Sequence, residues 1–493
     1  MRLKKLLKNI SYKEIKGPKD IEISSITQDS RLASFNGLFI ARKGKKLDGS
    51  KFLYEAANAG INAVITDIYD PFLKNITQVI VDDVSLIEAD IASNFYEKPS
   101  KNLFSIGITG TNGKTTTNYL IKHILDRNEK KSALIGTIEY ILGDTKIEAK
   151  LTTPDSISIQ KYLKEAVDND LKYFSMEASS HGLDQNRLKN IDFNIAIFTN
   201  LTLDHLDYHQ NFENYKNAKK KLFDSLNEKA LSIVNIDDEN FKYLIKDTKS
   251  KTFTYSTMKR ADLFATDIKY SLKGTSFILH YKEEKIDFFT PLIGDYNIYN
   301  ILAAISVGLR LKIDLKKLKE DIKNFKSVKG RLEKVKNNNN LNIFVDFAHT
   351  PDALRNVLKT LKAIVNLKNS KDVKKTKIIN VFGCGGNRDK SKRPLMAKIS
   401  EEFSDISIVT SDNPRSEDSL KIIDDIISGF SSNKTNVIIE KDRKKAIEIA
   451  IKLANAQDII IITGKGHETY QIFENVTLEF DDRVISKQIC NSL

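Results

Sequence analysis

Residues 110–117 read Gly-Thr-Asn-Gly-Lys-Thr-Thr-Thr, a glycine-containing turn that ends in a lysine and three threonines. An apolar run at 104–108 precedes the turn, and a helical pattern at 118–125 follows it. This order is typical of a phosphate cradle, because glycines let backbone N–H groups approach and a helix N-terminus favours anions. Lys114 would reach the β- and γ-phosphates, and Thr115 would offer a hydroxyl to Mg²⁺. We predict a nucleotide-binding loop; the alternative is a glycine turn with a chance lysine.

Histidines are concentrated in polar segments. Five of the seven lie in short segments that also carry acids, glycines or arginines: His181, His205, His209, His349 and His467. A single buried histidine is usually a packed core residue, and loops also use histidines in turns and caps. Five in such segments favour a functional site formed by several loops.

The composition limits the class of protein. A chain of 493 residues is long enough for about three domains, and its 41% hydrophobic residues fit a globular protein. No apolar run approaches the ~20 residues of a membrane span, and the basic N-terminus lacks the apolar stretch of a signal peptide. Two cysteines, Cys384 and Cys490, are too few for a disulfide framework. We therefore expect a cytoplasmic protein without a membrane span.

The net charge of +13 suits anionic partners. Lysines occur as scattered short runs, such as Lys219-Lys220-Lys221, without the aromatic-interleaved stripe expected of a nucleic-acid surface. We expect no nucleic-acid binding, and attribute the charge to the steering of anionic substrates such as nucleotides.

The elements that must position these residues indicate an α/β protein of three domains, at 1–100, 101–330 and 331–493. The first holds short mixed elements, with strand patterns at 38–41 and 63–66. The second alternates strands and helices as in a parallel sheet, and its β-rich stretch at 263–289 is expected to form hairpins, a side β-sheet next to the parallel one. The third has strand patterns at 343–347, 378–382, 406–410 and 459–463 and reads as a Rossmann-like, doubly wound domain. A polar loop follows each of these four strands, where ligands of such domains bind.

Further segments occur in a fixed order along the chain: Asp29-Ser30-Arg31, Gly37-Leu38-Phe39-Ile40-Ala41, Thr152-Thr153-Pro154-Asp155, Glu177-Ala178-Ser179-Ser180-His181-Gly182, Asp204-His205-Leu206-Asp207-Tyr208-His209, Asp346-Phe347-Ala348-His349-Thr350-Pro351-Asp352, Gly385-Gly386-Asn387-Arg388-Asp389, Asp412-Asn413-Pro414-Arg415 and Gly464-Lys465-Gly466-His467-Glu468. Together with the loop at 110–117, which departs from the strict Walker pattern at Ile108, they resemble the Mur ligases over nearly the whole chain. The likeness is to the branch that adds the third residue to the UDP-MurNAc peptide. Folylpolyglutamate synthetases share the loop but lack the N-terminal domain and the Asp-Asn-Pro-Arg segment.

The resemblance implies an ATP-dependent ligation with Mg²⁺ as cofactor. The γ-phosphoryl group of ATP passes to the D-glutamyl carboxylate of UDP-MurNAc-L-Ala-D-Glu, the amine of an amino acid attacks the acyl phosphate, and phosphate leaves. The resemblance assigns the three domains, in order, to UDP-sugar, ATP and amino-acid binding. It does not identify the base that deprotonates the amine. We expect a monomer.

The same resemblance assigns residues to ATP and to metal. The ATP contacts are Gly110, Thr111, Asn112, Gly113, Lys114, Thr115 and Thr116, with Asn300 at the adenine and Arg331 and Asp346 reaching across from the third domain. The metal ligands are Thr115, Glu177, His205 and Lys219, and the catalytic residues are Lys114, Glu177, His205 and Lys219. The alternatives are a helix cap for Glu177 and a packed imidazole for His205.

Lys219 has a special assignment, because its family counterpart is carbamylated by CO₂. A carbamate turns a cation into an anion that can bind or orient Mg²⁺. Three adjacent lysines, at 219–221, make the assignment ambiguous. In the family, the modified lysine follows an alanine and precedes an apolar pair by three and four residues, and only Lys219, between Ala218 and Leu222-Phe223, matches this spacing. A solvated lysine face is the alternative.

Two further sets follow from the resemblance. The UDP-sugar-peptide contacts are Ser30, Lys45, Lys46, Thr152, Thr153, Ser179, Gln185 and Arg187. The amino-acid contacts are Arg388, Asp412, Asn413, Arg415, Gly464 and Glu468. Local turns and caps explain any one of the hydroxyl residues equally well.

Arg415 decides the predicted amino acid. The enzymes that add meso-diaminopimelate carry Asp-Asn-Pro-Arg, whereas lysine-adding relatives lack the arginine. An arginine fork can bind the second carboxylate of diaminopimelate in two parallel bonds. We predict meso-diaminopimelate as the substrate, with L-lysine as the nearer alternative and a basic nucleotide-binding regulator as the distant one. A capping role for Arg415, or a pair with Glu417 or Asp418, is the structural alternative.

Overall fold

The computed structural model of the protein describes residues 1–44, 48–370, 375–432 and 435–492. Its strands form four sheets, and the three larger ones follow one another along the chain, which confirms the α/β class. The domain boundaries at 100 and 330 lie between these sheets and stay a proposal. Within the described residues, none of the helices combines the length and apolar character that crossing a membrane requires.

The first sheet has five strands in the order β1-β5-β4-β3-β2, parallel except for β1. The elements of this region are α1 (Leu3–Leu6), β1 (Glu14–Lys16), β2 (Ser25–Thr27), β3 (Gly37–Ile40), α2 (Leu53–Asn58), β4 (Ala63–Thr66), β5 (Thr77–Ile80) and α3 (Val84–Phe95). The two strands predicted here are confirmed as β3 and β4. They are buried along their whole length, because apolar clusters cover both faces of the sheet.

The central sheet has 11 strands. Its strands are β6 (Phe104–Thr109), β7 (Ser132–Ile135), β8 (Glu139–Leu142), β9 (Thr145–Glu148), β10 (Tyr173–Glu177), β11 (Ile195–Phe198), β12 (Leu231–Asn235), β13 (Lys251–Ser256), β14 (Leu263–Ser271), β15 (Gly274–Tyr281) and β16 (Glu284–Thr290). The helices of the same region are α4 (Lys114–Arg127), α5 (Ser156–Asp168), α6 (Ser180–Asp184), α7 (Leu206–His209), α8 (Phe212–Asp224), α9 (Phe241–Leu244), α10 (Asp295–Arg310) and α11 (Leu315–Asn324).

The order of the central strands places the nucleotide-binding loop between two other functional segments. β6 pairs in parallel with β10 on one side and with β11 on the other. Carboxyl ends of parallel strands meet at one edge of a sheet, so the segments after β10 and β11 must flank the loop after β6. The predicted hairpins β14 to β16 are confirmed. They extend the central sheet, because β14 pairs with β13 over two residues.

The third sheet has six strands in the order β17-β18-β22-β19-β20-β21. The elements are β17 (Glu333–Val335), β18 (Asn342–Asp346), α12 (Pro351–Asn369), β19 (Ile378–Phe382), α13 (Lys392–Phe403), β20 (Ile406–Val409), α14 (Ser419–Ile427), β21 (Val437–Ile439), α15 (Arg443–Leu453), β22 (Ile459–Thr463), β23 (Tyr470–Phe473), β24 (Val476–Glu479) and α16 (Asp482–Ser492). All four predicted strands are present, and those of the inner sheet pair in parallel. Apolar clusters lie on both faces, as a doubly wound domain requires.

Candidate functional site

The loop at 110–113 joins β6 to α4, and its backbone depends on glycine. Gly110 and Gly113 have φ angles of 148° and 86°, and a Cβ at Gly110 would lie 1.9 Å from Thr199 Oγ1. The Lys114 ammonium donates to the carbonyl oxygens of Gly110 (2.9 Å) and Thr111 (2.8 Å), and burial lowers its pKa. The cation therefore lies at the mouth of a loop that can receive phosphates.

A buried carboxylate lies beside this loop, at the end of β10. Glu177 is 1% exposed, and it accepts hydrogen bonds from the hydroxyls of Thr115 (3.1 Å) and Thr137 (2.9 Å) and from the Thr137 N–H (2.8 Å). Thr137 was missed by the sequence analysis, because a lone threonine in an irregular segment carries no signal. The Glu177 side chain bonds to Thr115 and Thr137, so it does not act as the helix cap that was the alternative for this residue.

This arrangement fits Mg²⁺. Octahedral coordination at about 2.1 Å brings neighbouring oxygen ligands to about 3 Å, and the Glu177 and Thr115 oxygens are 3.1 Å apart. Within the described ranges, no three His, Cys, Asp or Glu side chains are grouped to hold a metal by themselves. A site for Mg²⁺ commonly has one or two carboxylates and takes its remaining ligands from substrate phosphates and water, so a single protein carboxylate is compatible with it.

Arg331, just before β17 of the third sheet, reaches Thr115, which is itself bonded to this carboxylate. Its Nη2 donates to Thr115 Oγ1 at 3.1 Å, and its guanidinium lies 4.7 Å from the ring centre of Phe347. Asp346 accepts the N–H groups of Leu332 (2.6 Å) and Ala348 (2.7 Å), and burial raises its pKa. Asp346 thus fixes the turn that carries Arg331; its contact with ATP stays a prediction.

Three buried polar atoms near this crossing have no hydrogen-bond partner within the described residues. They are Tyr296 Oη, Arg331 Nε and His467 Nδ1. Phe347 contacts the side chains of two of them, since the centre of the His467 ring lies 5.0 Å from that of Phe347, and the Arg331 guanidinium also lies against Phe347. Buried polar atoms without partners are rare in folded proteins. They are accordingly candidates for nucleotide contacts, and Tyr296 and His467 were not among the predicted ATP contacts.

Asn300 lies under the nucleotide-binding loop. It is 3% exposed, accepts from the Thr117 hydroxyl at 3.3 Å and donates to Asn297 at 3.0 Å. A Cβ at Gly113 would lie 2.3 Å from its Oδ1. Asn300 therefore supports the loop, and its predicted adenine contact is not tested by these bonds. Asn112, in the loop itself, donates to Asp352 of α12 at 2.7 Å.

The segment after β11 brings histidines together. The ring centres of His181 and His205 are 4.9 Å apart, and those of His181 and His209 are 5.5 Å apart. His205 has a φ of 54°, is about half exposed and has its Nε2 3.6 Å from Asp204. Burial lowers the pKa of His205, and Asp204 opposes that effect. A neutral, accessible imidazole is suited to a metal, which remains the predicted role.

Lys219 differs sharply from the two lysines after it. It is 1% exposed, and its Nζ donates to the Gly110 carbonyl at 2.7 Å, which places it under the nucleotide-binding loop. Burial and the nearby Lys114 lower its pKa well below the usual value. Lys220 pairs with Asp224 and Asp247, and Lys221 with Asp184. The solvated-face alternative is therefore wrong for Lys219.

Most residues predicted to contact the UDP-sugar peptide form one hydrogen-bonded group next to Glu177. The Thr153 hydroxyl donates to the Glu177 carbonyl, and Arg187 donates to the Thr153 carbonyl and to Gln185. Thr152 accepts from Thr137, and Ser179 donates its N–H to Thr153. Ser30 lies apart in the first sheet region, bonded to Glu55. Lys45 and Lys46 lie outside the described residues.

The loops after β19, β20 and β22 converge. A Cβ at Gly464, whose φ is 112°, would lie 2.6 Å from Asp412 Oδ2, and one at Gly385 would lie 2.9 Å from Arg415 Nη1. Burial lowers the pKa of Arg415, and the positive charge of the nearby Arg388 lowers it further. Arg388 is exposed and Arg415 is half-buried, and the charges of Arg388, Asp412 and Glu468 all act on the Arg415 guanidinium. This mixture of charges suits a zwitterionic ligand.

Arg415 does not take the structural role considered as an alternative. Glu417 accepts from Arg393 at 2.8 Å, and Asp418 caps α14 through the Leu420 N–H. Arg415 Nη1 donates to the carbonyls of Gly386 (2.9 Å) and Asn413 (3.3 Å), and no ion pair of Arg415 occurs among the described residues. The guanidinium is held by carbonyls, and it keeps donors for an anion.

Known proteins share this architecture. The family models of the Mur ligase middle domain and of the Mur ligase, glutamate ligase domain match residues 108–308 and 330–466. The UDP-N-acetylmuramoyl-L-alanyl-D-glutamate--2,6-diaminopimelate ligases of Chlamydia abortus and Clostridium tetani are 45% and 42% identical to the chain, with full coverage of both sequences.

Solved structures agree with the sequence relatives. A structure described as the same kind of ligase is 31% identical, covers 100% of this chain and 99% of its own, and superposes with a TM-score of 0.69. The MurF ligase of Thermotoga maritima in complex with ADP, at 17% identity, covers 95% of this chain and 96% of its own with a TM-score of 0.64, and so shares the fold. The matched models, the full-length relatives and the converging loops together show that this chain belongs to the Mur ligase family.

Proposed function

We propose that the chain is the ATP-dependent ligase that joins 2,6-diaminopimelate to UDP-MurNAc-L-Ala-D-Glu during peptidoglycan precursor synthesis. The observation that carries this proposal is Arg415, a guanidinium without an ion pair in the described structure, next to a second guanidinium and two carboxylates. Meso-diaminopimelate is lysine with a second carboxylate on its distal carbon. Its two ammonium and two carboxylate groups match this set of charges. The names of the relatives support the same substrate.

The residues around the nucleotide-binding loop support phosphoryl transfer. Lys114 and Arg331 place two cations near the Glu177–Thr115 contact. Transfer of the γ-phosphoryl group to the glutamyl carboxylate depends mostly on positioning and on charge neutralisation, which these cations provide. A bound Mg²⁺ would add neutralisation of the phosphate oxygens. Glu177 and Thr115 would hold it, and His205 would bind a second metal ion.

Lys219 is proposed to act as a carbamate. Its amine is buried, and its lowered pKa favours the neutral form that attacks CO₂; one proton is released and one anionic carbamate is formed. In place of a second cation beside Lys114, the loop would then have an anion able to orient Mg²⁺. Lys220 and Lys221 already have acidic partners, which disfavours them as targets.

Lys219→Ala is expected to lower turnover by about a hundred-fold to a thousand-fold, since a group that orients the charge-stabilising machinery is lost. Acetate or formate, supplied as a substitute for the carbamate, should restore part of the rate. Lys220→Ala is the matched control and should keep the wild-type rate, because the Lys220 ammonium pairs with Asp224 and Asp247, whereas that of Lys219 donates to the Gly110 carbonyl. Full activity of Lys219→Ala, or loss on Lys220→Ala instead, would contradict the assignment.

Two alternative functions, a ligase for L-lysine and a nucleotide-binding regulator, are to be distinguished from this proposal. A ligase for L-lysine would leave Arg415 facing an ammonium group, and a nucleotide-binding regulator would leave the converged loops unused. We would incubate the protein with Mg·ATP, UDP-MurNAc-L-Ala-D-Glu and meso-diaminopimelate and follow ADP and the UDP-tripeptide by mass spectrometry. The proposal requires one ADP per tripeptide and no turnover without the dipeptide. ATP hydrolysis that ignores the dipeptide would support the regulator.

We also propose a cellular location, an oligomeric state and a binding region for the UDP-sugar peptide. Because ATP and UDP-linked precursors are pools of the cell interior, we place the activity in the cytoplasm. We propose that the chain acts as a monomer, since Arg331 reaches Thr115 within one chain and no residue of a second copy is needed there. Ser30 and the group around Arg187 are proposed to bind the UDP-sugar peptide.

A further inference from the structure

The carboxylate of Glu468 is fixed on one side by a buried lysine. Lys465 is 0% exposed, and its ammonium donates to Glu468 Oε2 at 3.0 Å and to Asn413 Oδ1 at 3.1 Å. The Asn413 amide donates to the same Glu468 oxygen at 2.8 Å. These three side chains, which we call the Lys465 triangle, connect the loop after β20 with the loop after β22.

The triangle leaves one side of Glu468 available. Its bonds all end on Oε2, and within the described residues no hydrogen bond reaches Oε1. The Glu468 side chain is 18% exposed, so Oε1 can meet a ligand. By contrast, Asn413 Oδ1 is fully used, because it also accepts the N–H of Ile472 from β23 at 3.0 Å. Lys465 thus contacts two of the six predicted amino-acid-binding residues, Asn413 and Glu468, while it is itself buried.

The charges around Glu468 show what Lys465 contributes. Burial raises the pKa of Glu468, the ammonium of Lys465 lowers it, and the nearby Asp412 raises it. The other charged or titratable groups facing it are Arg415, Arg443 and Tyr470. Arg443 is already neutralised by a buried pair with Asp482, and Arg415 is the proposed carboxylate receptor. Lys465 is therefore the cation in direct contact with Glu468 that favours its ionised form.

We propose that Lys465 is a positioning residue for the incoming amino acid, orienting Asn413 and Glu468 so that Glu468 Oε1 receives an ammonium group of the substrate. It touches neither ATP nor substrate. This inference rests on the proposed function, because it assumes that the converged loops bind the diamino acid.

Lys465→Met should raise the KM for meso-diaminopimelate by about ten-fold to a hundred-fold, since removing one partner of a buried charge pair leaves the other misoriented and uncompensated. The KM for ATP and that for the UDP-dipeptide should change by less than about twofold, because sites without shared contacts respond independently. Lys122→Met is the matched control: Lys122 is also largely buried and bonded to a carboxylate and a carbonyl, but lies on α4. It should leave the KM for diaminopimelate unchanged.

The pH dependence separates positioning from a general loss of structure. Without Lys465, the cation that lowers the pKa of Glu468 is lost, so the carboxyl group of the variant becomes charged at a higher pH than that of the wild type. The ratio of the variant KM to the wild-type KM should therefore fall as the pH of the assay rises. A ratio that is constant with pH would overturn the proposal.

A double-mutant cycle gives the second test. If Lys465 acts through Glu468, Lys465→Met should add little in a Glu468→Gln background, whereas independent roles would give multiplied effects. Fully multiplied effects would overturn the inference. The double variant also removes both charges of the buried pair together, so the cycle's Glu468→Gln and double-variant arms can be measured even if Lys465→Met alone does not fold.

The two proposals fail in different ways. If the wild-type protein does not use meso-diaminopimelate, the proposed function fails and the KM comparison has no starting value. If the wild type uses diaminopimelate and Lys465→Met has an unchanged KM for it, only the positioning role fails.

Discussion

Glu177→Gln is expected to lower the turnover of the purified protein by about a hundred-fold to a thousand-fold, as removal of one charge-stabilising group at a transfer site does. The substitution keeps the size of the side chain, and its one amide oxygen can still accept from the hydroxyls of Thr115 and Thr137. Its NH2 group then faces the Thr137 N–H, so the thermal unfolding midpoint is measured together with the rate. The substitution removes the negative charge that would hold Mg²⁺. Steady-state rates at several Mg²⁺ concentrations would show both the lower turnover and a higher Mg²⁺ requirement.

Glu165→Gln is a suitable control for this variant. Glu165 is a carboxylate of the same sheet region, on the surface of α5, and its partner is Lys161. Its substitution should leave turnover and Mg²⁺ requirement unchanged. Equal thermal unfolding midpoints for both variants would exclude a folding effect. A Glu177→Gln protein with wild-type turnover would remove the metal role from our account.

Arg415→Ala should lower kcat/KM for meso-diaminopimelate by about a hundred-fold or more, because a desolvated charge-assisted contact to a carboxylate is lost. The KM for ATP should stay close to the wild-type value, since the Arg415 guanidinium donates to the carbonyls of Gly386 and Asn413 and its backbone bonds to β23. Arg415→Lys should recover little, because lysine keeps the charge but not the planar fork.

The backbone of Arg415 supplies an unusual control. Its φ of 55° lies in the left-handed region, which glycine adopts more easily than any other residue. Arg415→Gly therefore removes the guanidinium without added backbone strain, and should lose diaminopimelate use as strongly as Arg415→Ala. Arg355→Ala, at an exposed arginine of α12 paired with Glu402, should have no effect. If Arg415→Gly kept diaminopimelate use while Arg415→Ala lost it, the residue would serve the fold and not the ligand.

Buried strands were the most predictable part of the fold. β19 and β22 begin and end as expected, because each is an uninterrupted apolar run covered on both faces. No strands were anticipated at β8 and β9. β9 is mostly exposed, and its sequence lacks the apolar run that identified the others. The hairpins β14 to β16 were expected, but their pairing with β13 depends on tertiary contacts that a local pattern does not contain.

Site residues that belong to a recognisable motif could be predicted from the sequence. Site residues whose role depends on their burial in the folded protein could not. Lys114 and Glu177 were assigned from segments whose residue types suit phosphate and metal, and the strand order brings them together. Lys465 stood in a recognised segment without an assigned role, because a lysine in a polar loop is usually solvated. Its complete burial results from packing between two loops more than 50 residues apart, shown by its bond to Asn413. A local sequence pattern does not show that two segments so far apart in the sequence will pack together.

The most direct measurement for the central claim is phosphate release with UDP-MurNAc-L-Ala-D-Glu and ATP, compared across meso-diaminopimelate, L-lysine and L-ornithine. The Arg415 guanidinium would repel the distal ammonium group of L-lysine and would be left without an anionic partner. Discrimination between the amino acids should therefore exceed what a difference in size alone gives. Our account predicts a kcat/KM for meso-diaminopimelate at least about a hundred-fold above that for either monocarboxylate. Equal use of the three amino acids, or a preference for L-lysine, would contradict it.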